Sequence, residues 1–387
     1  MIRGIQNREE IMKIAINCSI CQPKGGGITE YIVNLTREIE HIDKENEYVL
    51  YVLQDLYDFC QKKLPARFRM KKIPYNNTLS QKIKRSLFSQ QFWYKEEVEE
   101  KFDIFHSPFF YAPKMKHAKV VITVHDLRLY RFPRTYNLLR YLYLQHSVKE
   151  TIKRADRIIS ISRFTKDEIV DTCHIGADKV RVIHEAINRE FFSPKSIADY
   201  EVPSEYAGWE KGRLLFSLGH IEPRKNYLRL IEAFKLLKAQ KGNEDLQLII
   251  AGKPLLDTKN VFKLIEETEG VVYLNFIPSK LLLWLYQHAT LFVFPSFYEG
   301  FGFPPLEAAS MGTVSAVSNV SSIPEVCGDC AFYFNPYDIE EMHRVIGDAL
   351  SCPEAIKERK EKLKGQLAKF SWLKNAEETI DVYKSCL

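Results

Sequence analysis

Short runs of apolar residues alternate along the chain with longer stretches in which apolar positions recur every three or four residues. A short apolar run between turn formers reads as a buried parallel strand, and the spaced pattern reads as an amphipathic helix. Runs at Lys13–Ser19, Tyr48–Leu53, Asp103–Ser107, Val120–Val124, Arg157–Ser162 and Lys179–His184 predict the strands of a first α/β half. Helical patterns lie between them: Gly25–Glu40, with Ile28, Ile32, Leu35 and Ile39 on one side; Tyr136–Ala155; and Thr165–Val170 behind Ser162 as N-cap. The pattern dissolves between Phe192 and Arg213. It restarts at Leu214–Gly219 and continues through Leu246–Ala251, Val271–Phe276, a helical Lys280–His288, Leu291–Phe294 and Val314–Ser318. This order predicts two doubly wound, Rossmann-like parallel-sheet domains. The first is expected over residues 1–195, with 1–11 a loose extension, then a linker over 196–212 and a second domain over 213–371.

Composition narrows the class. A chain of 387 residues with 45% hydrophobic and 27% charged positions suits two globular domains. The net charge of +5, from 55 basic and 50 acidic residues, is too small to point to nucleic acid. No apolar run is long enough to span a bilayer, and the opening MIRGIQNREEI lacks the apolar core of a signal peptide, so a cytoplasmic protein is expected. Eight cysteines include the pairs Cys18/Cys21 and Cys327/Cys330, some three hundred residues apart; reduced, partly buried thiols are expected rather than a zinc site. From Gln61 to Lys95 there is no acidic residue, while Lys62, Lys63, Arg67, Arg69, Lys71, Lys72, Lys82, Lys84, Arg85 and Lys95 interleave with Leu79, Ile83, Leu87, Phe88, Phe92 and Trp93. That mixture fits a basic amphipathic helix on an anionic membrane surface, and equally a solvated face whose aromatics pack inward.

Chemistry concentrates in Leu291–Gly312, LFVFPSFYEGFGFPPLEAASMG. A strand runs into a loop holding Gly300 and Gly302, and Pro304 and Pro305 open a helix where a missing N–H costs nothing. The helix start predicts an anion seat, with Glu299 in the loop and Glu307 in the first helical turn, able to face one ligand from two sides. A phosphate at the helix end with hydroxyls for the two carboxylates describes a sugar nucleotide. Arg224 and Lys225 stand in the first strand-to-helix loop of the same half, where two cations can neutralise a diphosphate without a metal. No D-x-D metal motif occurs in the chain. Gly25-Gly26-Gly27 lacks the third glycine of a dinucleotide fingerprint, since Glu30 stands there, and no P-loop occurs. His125 closes a strand at the edge where ligands collect in open α/β sheets.

Together, G-H-x-x-x-R-K (Gly219, His220, Arg224, Lys225), P-S-x-x-E-G-F-G-x-P-x-L-E-A from Pro295 to Ala308, and I-P-E-V from Ile323 resemble glycosyltransferase family 4, whose fold is GT-B. The GGGITEY loop, the V-H-D-L around His125, ADRIISISRFTKDEI and KVRVIHEAIN extend the resemblance over nearly the whole chain. It implies two domains facing across a cleft, with a C-terminal helix, 372–387, returning to the first domain on Trp372 and Tyr383. Glu307 would hold the ribose and Glu299 the transferred sugar, with Gly300, Phe301, Gly302 and Phe303 completing the sugar and phosphate contacts. Arg224 and Lys225 would bind the diphosphate, Gly26 and Gly27 would let the first domain approach the same phosphates, and His125 would orient sugar or acceptor. The family retains anomeric configuration by a front-side route, without metal or other cofactor.

Likeness of HIEPRKN, VHDL and EGFGFPPLEA to bacterial mannosyltransferases favours mannose from GDP-mannose as donor. UDP-glucose or UDP-N-acetylglucosamine is the alternative donor, and Asn275-Phe276, which replaces a usual glycine near the base pocket, gives no base preference. The expected acceptor is a lipid-linked or growing polysaccharide, at a peripheral position on the inner face of the plasma membrane. His184-Glu185-Ala186 departs from the family's glycine turn, so Glu185 could enter the site. An epimerase on the same fold, and a non-catalytic adaptor with a dead site, are the readings from other classes; the intact Glu299, Glu307, Arg224 and Lys225 argue against the adaptor.

Overall fold

Seven buried, mostly apolar segments pair in parallel to make the first sheet: β1 (Lys13–Asn17), β2 (Glu47–Leu53), β3 (Arg69–Ile73), β4 (Ile104–Ser107), β5 (Lys119–Val124), β6 (Arg157–Ser160) and β7 (Val180–Val182). Their order is β3-β2-β1-β4-β5-β6-β7, so the winding reverses between β1 and β4. The structure is a computed structural model that describes residues 11–387 apart from 24–25, 77, 134–136 and 189–190, and the backbone but not the side chains of 79–88, 205, 207 and 210–211. The expected loose extension therefore lies almost wholly outside the described residues, as does Gly25.

A second parallel sheet repeats the scheme with β8 (Leu214–Leu218), β9 (Gln247–Ala251), β10 (Val271–Leu274), β11 (Leu291–Phe294), β12 (Ser315–Ser318) and β13 (Ala331–Phe334), in the order β10-β9-β8-β11-β12-β13. Both faces of this sheet are covered by helices, which is why its strands are apolar on both sides. Leu215, Leu248, Ile250 and Val293 pack into one core, and Phe216, Ile249, Phe292 and Phe294 into another.

By contacts the chain divides into one unit of residues 11–185 plus Trp372–Leu387 and a second of Ala186–Ser371. This moves the expected boundary from 195 to 185. It also corrects the linker: Ile197 and Trp209 are buried in the second unit's core, and Tyr206 stacks on Trp209. Polar residues between them hid two short 3-10 segments, Pro194–Ile197 and Ser204–Lys211, that bury one large side chain each.

The closing helix Trp372–Lys384 packs on the helix Gly27–Ile42 within the first unit. Asn375 Nδ2 donates to His184 O at 2.8 Å, Trp372 lies edge-on to Tyr31, and the buried Tyr383 hydroxyl meets His106 Nδ1 at 2.7 Å. His106 Nε2 meets Thr123 Oγ1 at 2.9 Å, so both ring nitrogens are satisfied in the core. Tyr383→Phe leaves Nδ1 unpaired at a fully buried site. The expected cost is about 1–3 kcal/mol, read as a lower urea midpoint at unchanged slope.

Where it is described, the segment 61–95 buries Phe68 and Trp93 and leaves Lys62, Lys63, Arg67, Arg69, Lys72 and Lys95 exposed. Arg69 and Lys71 pair with Glu100, Lys71 also with Glu96, and Lys72 lies over the Tyr57 ring. Trp93 is buried against Tyr51 and Phe105. Glu96, Glu99 and Glu100, just after the segment, supply the acids that Arg69, Lys71 and Lys95 pair with, while Glu97 accepts from the backbone N–H groups of Lys116, His117 and Ala118. The side chains of Leu79, Lys82, Ile83, Lys84, Arg85, Leu87 and Phe88 lie outside the described set.

Candidate active site

Two neighbouring strands, β8 and β11, meet where the second sheet reverses, and the loops that leave their carboxyl ends carry the charged residues. The loop after β8 turns at Gly219, whose φ of 155° brings its backbone against Gly252. A Cβ on Gly252, itself at φ 144°, would lie 2.0 Å from Gly219 O, so this crossing demands glycine. The loop ends in a 3-10 turn, Pro223–Lys225, closed by Asn226 in the left-handed region at φ 61°. Asn226 Nδ2 donates to Pro295 O at 3.0 Å and Pro336 O at 2.8 Å, and Phe297 N–H donates to Arg224 O at 2.9 Å. The two loops are thereby joined through their backbones before any ion pair forms.

The ion pairs then fall on Glu299. Arg224 Nη1 lies 2.7 Å from Oε2 and Lys225 Nζ 2.7 Å from Oε1. Arg224 also pairs with Glu222 at 2.6 Å and donates to Tyr298 O at 2.8 Å, while Lys225 Nζ sits 4.8 Å over the Phe294 ring. Glu299 is fixed from behind as well: Ser322 Oγ donates to Glu299 O at 2.9 Å and to Phe301 O at 2.8 Å. Burial raises the Glu299 pKa, but Lys225 and Arg224 outweigh it and hold the carboxyl down at about 2. Burial lowers Lys225, and the attraction of Glu299 offsets only part of that. Arg224 is raised: its burial is outweighed by Glu299 and Glu222.

Glu307 has a different environment on the same segment. Gly302, left-handed at φ 109°, precedes the helix Phe303–Ser310, and Glu307 is that helix's fifth residue, not part of its first turn. Its Oε2 accepts from the Tyr286 hydroxyl at 2.6 Å. Burial pushes its pKa up to about 7, with the Tyr286 hydrogen bond and the charge of Lys225 working the other way. The expected anion seat is also thinner than the sequence suggested, because Pro304 and Pro305 remove two of the first three helical N–H groups. Arg224 and Lys225, both ion-paired with Glu299, are the cations beside that helix start.

The remaining candidates lie in the first unit. Gly26, at φ 135°, precedes the helix Gly27–Ile42, and a Cβ at either glycine would meet nothing within 4 Å. His125 follows β5, with Nε2 2.9 Å from Pro108 O and Nδ1 3.0 Å from Glu185 Oε1. Both nitrogens are therefore engaged inside the unit. The two C-x-x-C pairs lie in different units, and among the described residues no cluster of three or more metal-ligating side chains occurs. Sequence reasoning missed Tyr286, Glu222 and Gly252 as parts of the second unit's site. Of these, Glu222 two residues before Arg224 was the readable signal.

Two Rossmann-like parallel-sheet units, with an arginine–lysine pair and a glutamate at the second sheet's switch point, define a glycosyltransferase of the GT-B kind. The chain belongs to glycosyltransferase family 4: the pattern of "Glycosyltransferase Family 4" matches residues 25–191 and that of "Glycosyl transferases group 1" matches 204–366. It is 32% identical over 285 residues to O-antigen chain mannosyltransferase B of Escherichia coli, covering 73% of this chain and 74% of that protein. It is 34% identical over 248 residues to the serotype-specific mannosyltransferase WbdA of Escherichia coli, 61% of this chain but 29% of that longer protein. Among solved structures, a glycosyltransferase from Rickettsia africae superposes with TM-score 0.71 at 17% identity, covering 97% of this chain and 99% of that one. HepE of Anabaena, solved with UDP and glucose, does so with TM-score 0.70 at 15% identity, covering 97% and 100%. At such identities these structures share the fold alone.

Proposed function

We propose that this glycosyltransferase moves mannose from GDP-mannose to a lipid-linked or growing polysaccharide acceptor, with retention and without a metal. The observation that carries the reading is the bridge of Glu299 to Arg224 and Lys225, with Glu307 on the helix that follows the same loop. The mannose preference is supported by relatives named mannosyltransferases, and the polysaccharide acceptor by those named for O-antigen chains. Two cations supply the charge that a diphosphate needs, in the role a divalent ion plays elsewhere.

The chemistry follows from the charges. An incoming diphosphate competes with Glu299 for Arg224 and Lys225, and the carboxylate then accepts hydrogen bonds from the sugar. The bond from sugar C1 to the phosphate oxygen breaks, the acceptor oxygen bonds to C1 on the same face, and its proton passes to the departing phosphate. Arg224 and Lys225 stabilise the charge that develops there. Glu307 accepts from the ribose hydroxyls. In the first domain His125 orients the sugar or the acceptor, and Gly26 and Gly27 let the backbone approach the donor phosphates.

Among the described residues no helix is long and apolar enough to cross a membrane. A peripheral place at the inner face of the plasma membrane suits a lipid-linked acceptor. Arg69 and Lys71 are paired with Glu100 and Glu96, and the peripheral placement is argued from the acceptor and not from residues 61–95.

The test is thermal shift against GDP, UDP and their sugar conjugates, followed by turnover with the best binder. GDP and GDP-mannose are expected to raise the melting temperature most, because only the folded protein binds them. A larger rise and turnover with UDP-glucose overturns the donor. Product formed from donor alone, without acceptor, would mean an epimerase, and no shift with any nucleotide would mean an adaptor.

A further inference from the structure

His125 and Glu185 form a buried pair whose geometry limits what the imidazole can do. Pro108 O, 2.9 Å from Nε2, is a carbonyl and can only accept, so Nε2 carries a proton. Nδ1 faces Glu185 Oε1 at 3.0 Å; the Glu185 side chain is 1% exposed and that of His125 15%. Oε1 is buried and takes no aligned hydrogen bond among the described residues, so the imidazole is what compensates its charge. An uncompensated carboxylate at that depth is strongly destabilising. The third side is closed by Tyr31, edge-on at 5.0 Å, whose hydroxyl is turned to Thr123 Oγ1 at 3.2 Å.

The other groups that face the ring agree with a charged state. Burial opposes the charge on His125, but Glu185, the Pro108 carbonyl and Asp126 together raise its pKa. The neighbouring His106 is held neutral, its pKa lowered to about 3 by burial first and by the charge of His125 second. The negative end of the pair is buried and the positive end is the one that reaches solvent.

We propose that Glu185 is the positioning residue that holds His125 as an imidazolium, with Nε2–H bonded to Pro108 O and Nδ1 ion-paired with Glu185, so that the ring serves as a fixed cation and not as a base. This rests on the reading that His125 takes part in the transfer. With no bare nitrogen on His125, the proton of the acceptor hydroxyl passes to the departing phosphate oxygen as its own oxygen bonds to C1. Sequence alone offered only the replacement of a glycine turn by His184-Glu185-Ala186 as a signal.

The experiment is a pH titration of the full chain labelled with nitrogen-15 histidine, in wild type and Glu185→Gln. Assignment among the ten histidines comes from loss of one signal in His125→Gln. Two protonated nitrogens are expected on His125 at neutral pH in the wild type, and one in Glu185→Gln, which has the same shape without the charge. The alkaline limb of the kcat profile is expected to move at least about one pH unit lower in Glu185→Gln, with little change in donor KM. A bare nitrogen on wild-type His125 overturns the proposal, as does a uniform rate loss in Glu185→Gln with the imidazolium intact. If the ring charge follows Glu185 yet His125→Gln turns over normally, the pairing stands and the participation of His125 falls. Should Glu185→Gln fail to fold, the wild-type spectrum decides.

Discussion

Replacing Lys225 with alanine is expected to lower turnover about a hundredfold or more, since one preorganised charge at a developing anion is worth about 2.7–4 kcal/mol of barrier. The structure sharpens why. Lys225 is buried, stacks its ammonium over Phe294 and shares Glu299 with Arg224, so its charge is held in place and little screened. Arg224 cannot substitute for it, being also tied to Glu222 and Tyr298. The same burial means that the variant loses stability, although Glu299 keeps its pair with Arg224 and is not left alone. Lys225→Met, which keeps the stem packed, separates the two effects: it should melt closer to wild type and still be as slow as alanine. Circular dichroism and single-turnover rates read both quantities. A near-normal rate in the folded methionine variant would sink the leaving-group role.

Sheet centres were legible in the sequence because strands covered on both faces are nearly all apolar, as in β1, β5, β8 and β11. Two edge strands were not. β3 reads RMKKI, and two of its three cations, Arg69 and Lys71, are paired with Glu96 and Glu100 from a helix that begins well beyond it, which no local pattern shows. β13, AFYF, is four residues long and follows a cysteine turn that drew attention to metals instead. Linker residues 196–212 were misread because single large side chains, Ile197 and Trp209, anchor stretches that are polar between them.

At the site, charge and spacing made Arg224, Lys225, Glu299 and Glu307 visible, because all four are charged and follow strands at the edge where the second sheet reverses. The partners that set their properties were not visible. Tyr286 is one more apolar position in the pattern of the helix Ser279–His288, and its hydroxyl, bonded to Glu307, has no sequence signature. Gly252 matters only because the Gly219 backbone crosses it. The result is two carboxylates, eight residues apart, driven in opposite directions: Glu299 down to about 2 by two cations, Glu307 up to about 7 by burial. Such a split marks different tasks for chemically identical groups. A permanent anion suits exchange between cations and sugar hydroxyls, whereas a carboxyl that titrates near neutrality makes its own ligand affinity depend on pH.

That dependence gives the second large effect. With Glu307 titrating at about 7, GDP-mannose is expected to bind up to about tenfold more weakly near pH 6 than near pH 8, because only the ionised carboxylate accepts from both ribose hydroxyls. GDP-mannose is the right probe, since its diphosphate diester has no proton to gain in that window. Glu307→Gln should weaken binding by roughly 1.5–3 kcal/mol at pH 8, the worth of hydrogen bonds to a charged group, and flatten the dependence. The effect should fall on donor KM more than on kcat, as ribose contacts are alike in ground and transition states. Stability moves the other way. A carboxyl whose folded pKa lies above its unfolded value binds more protons when folded, so this group's contribution falls as pH rises from about 4.5 to 7. The glutamine variant, lacking that term, should gain on wild type across the same window in the absence of donor. Calorimetric titration and urea unfolding at the two pH values read both signs. If wild type and Glu307→Gln bind GDP-mannose with the same affinity at pH 8, Glu307 does not hold the ribose.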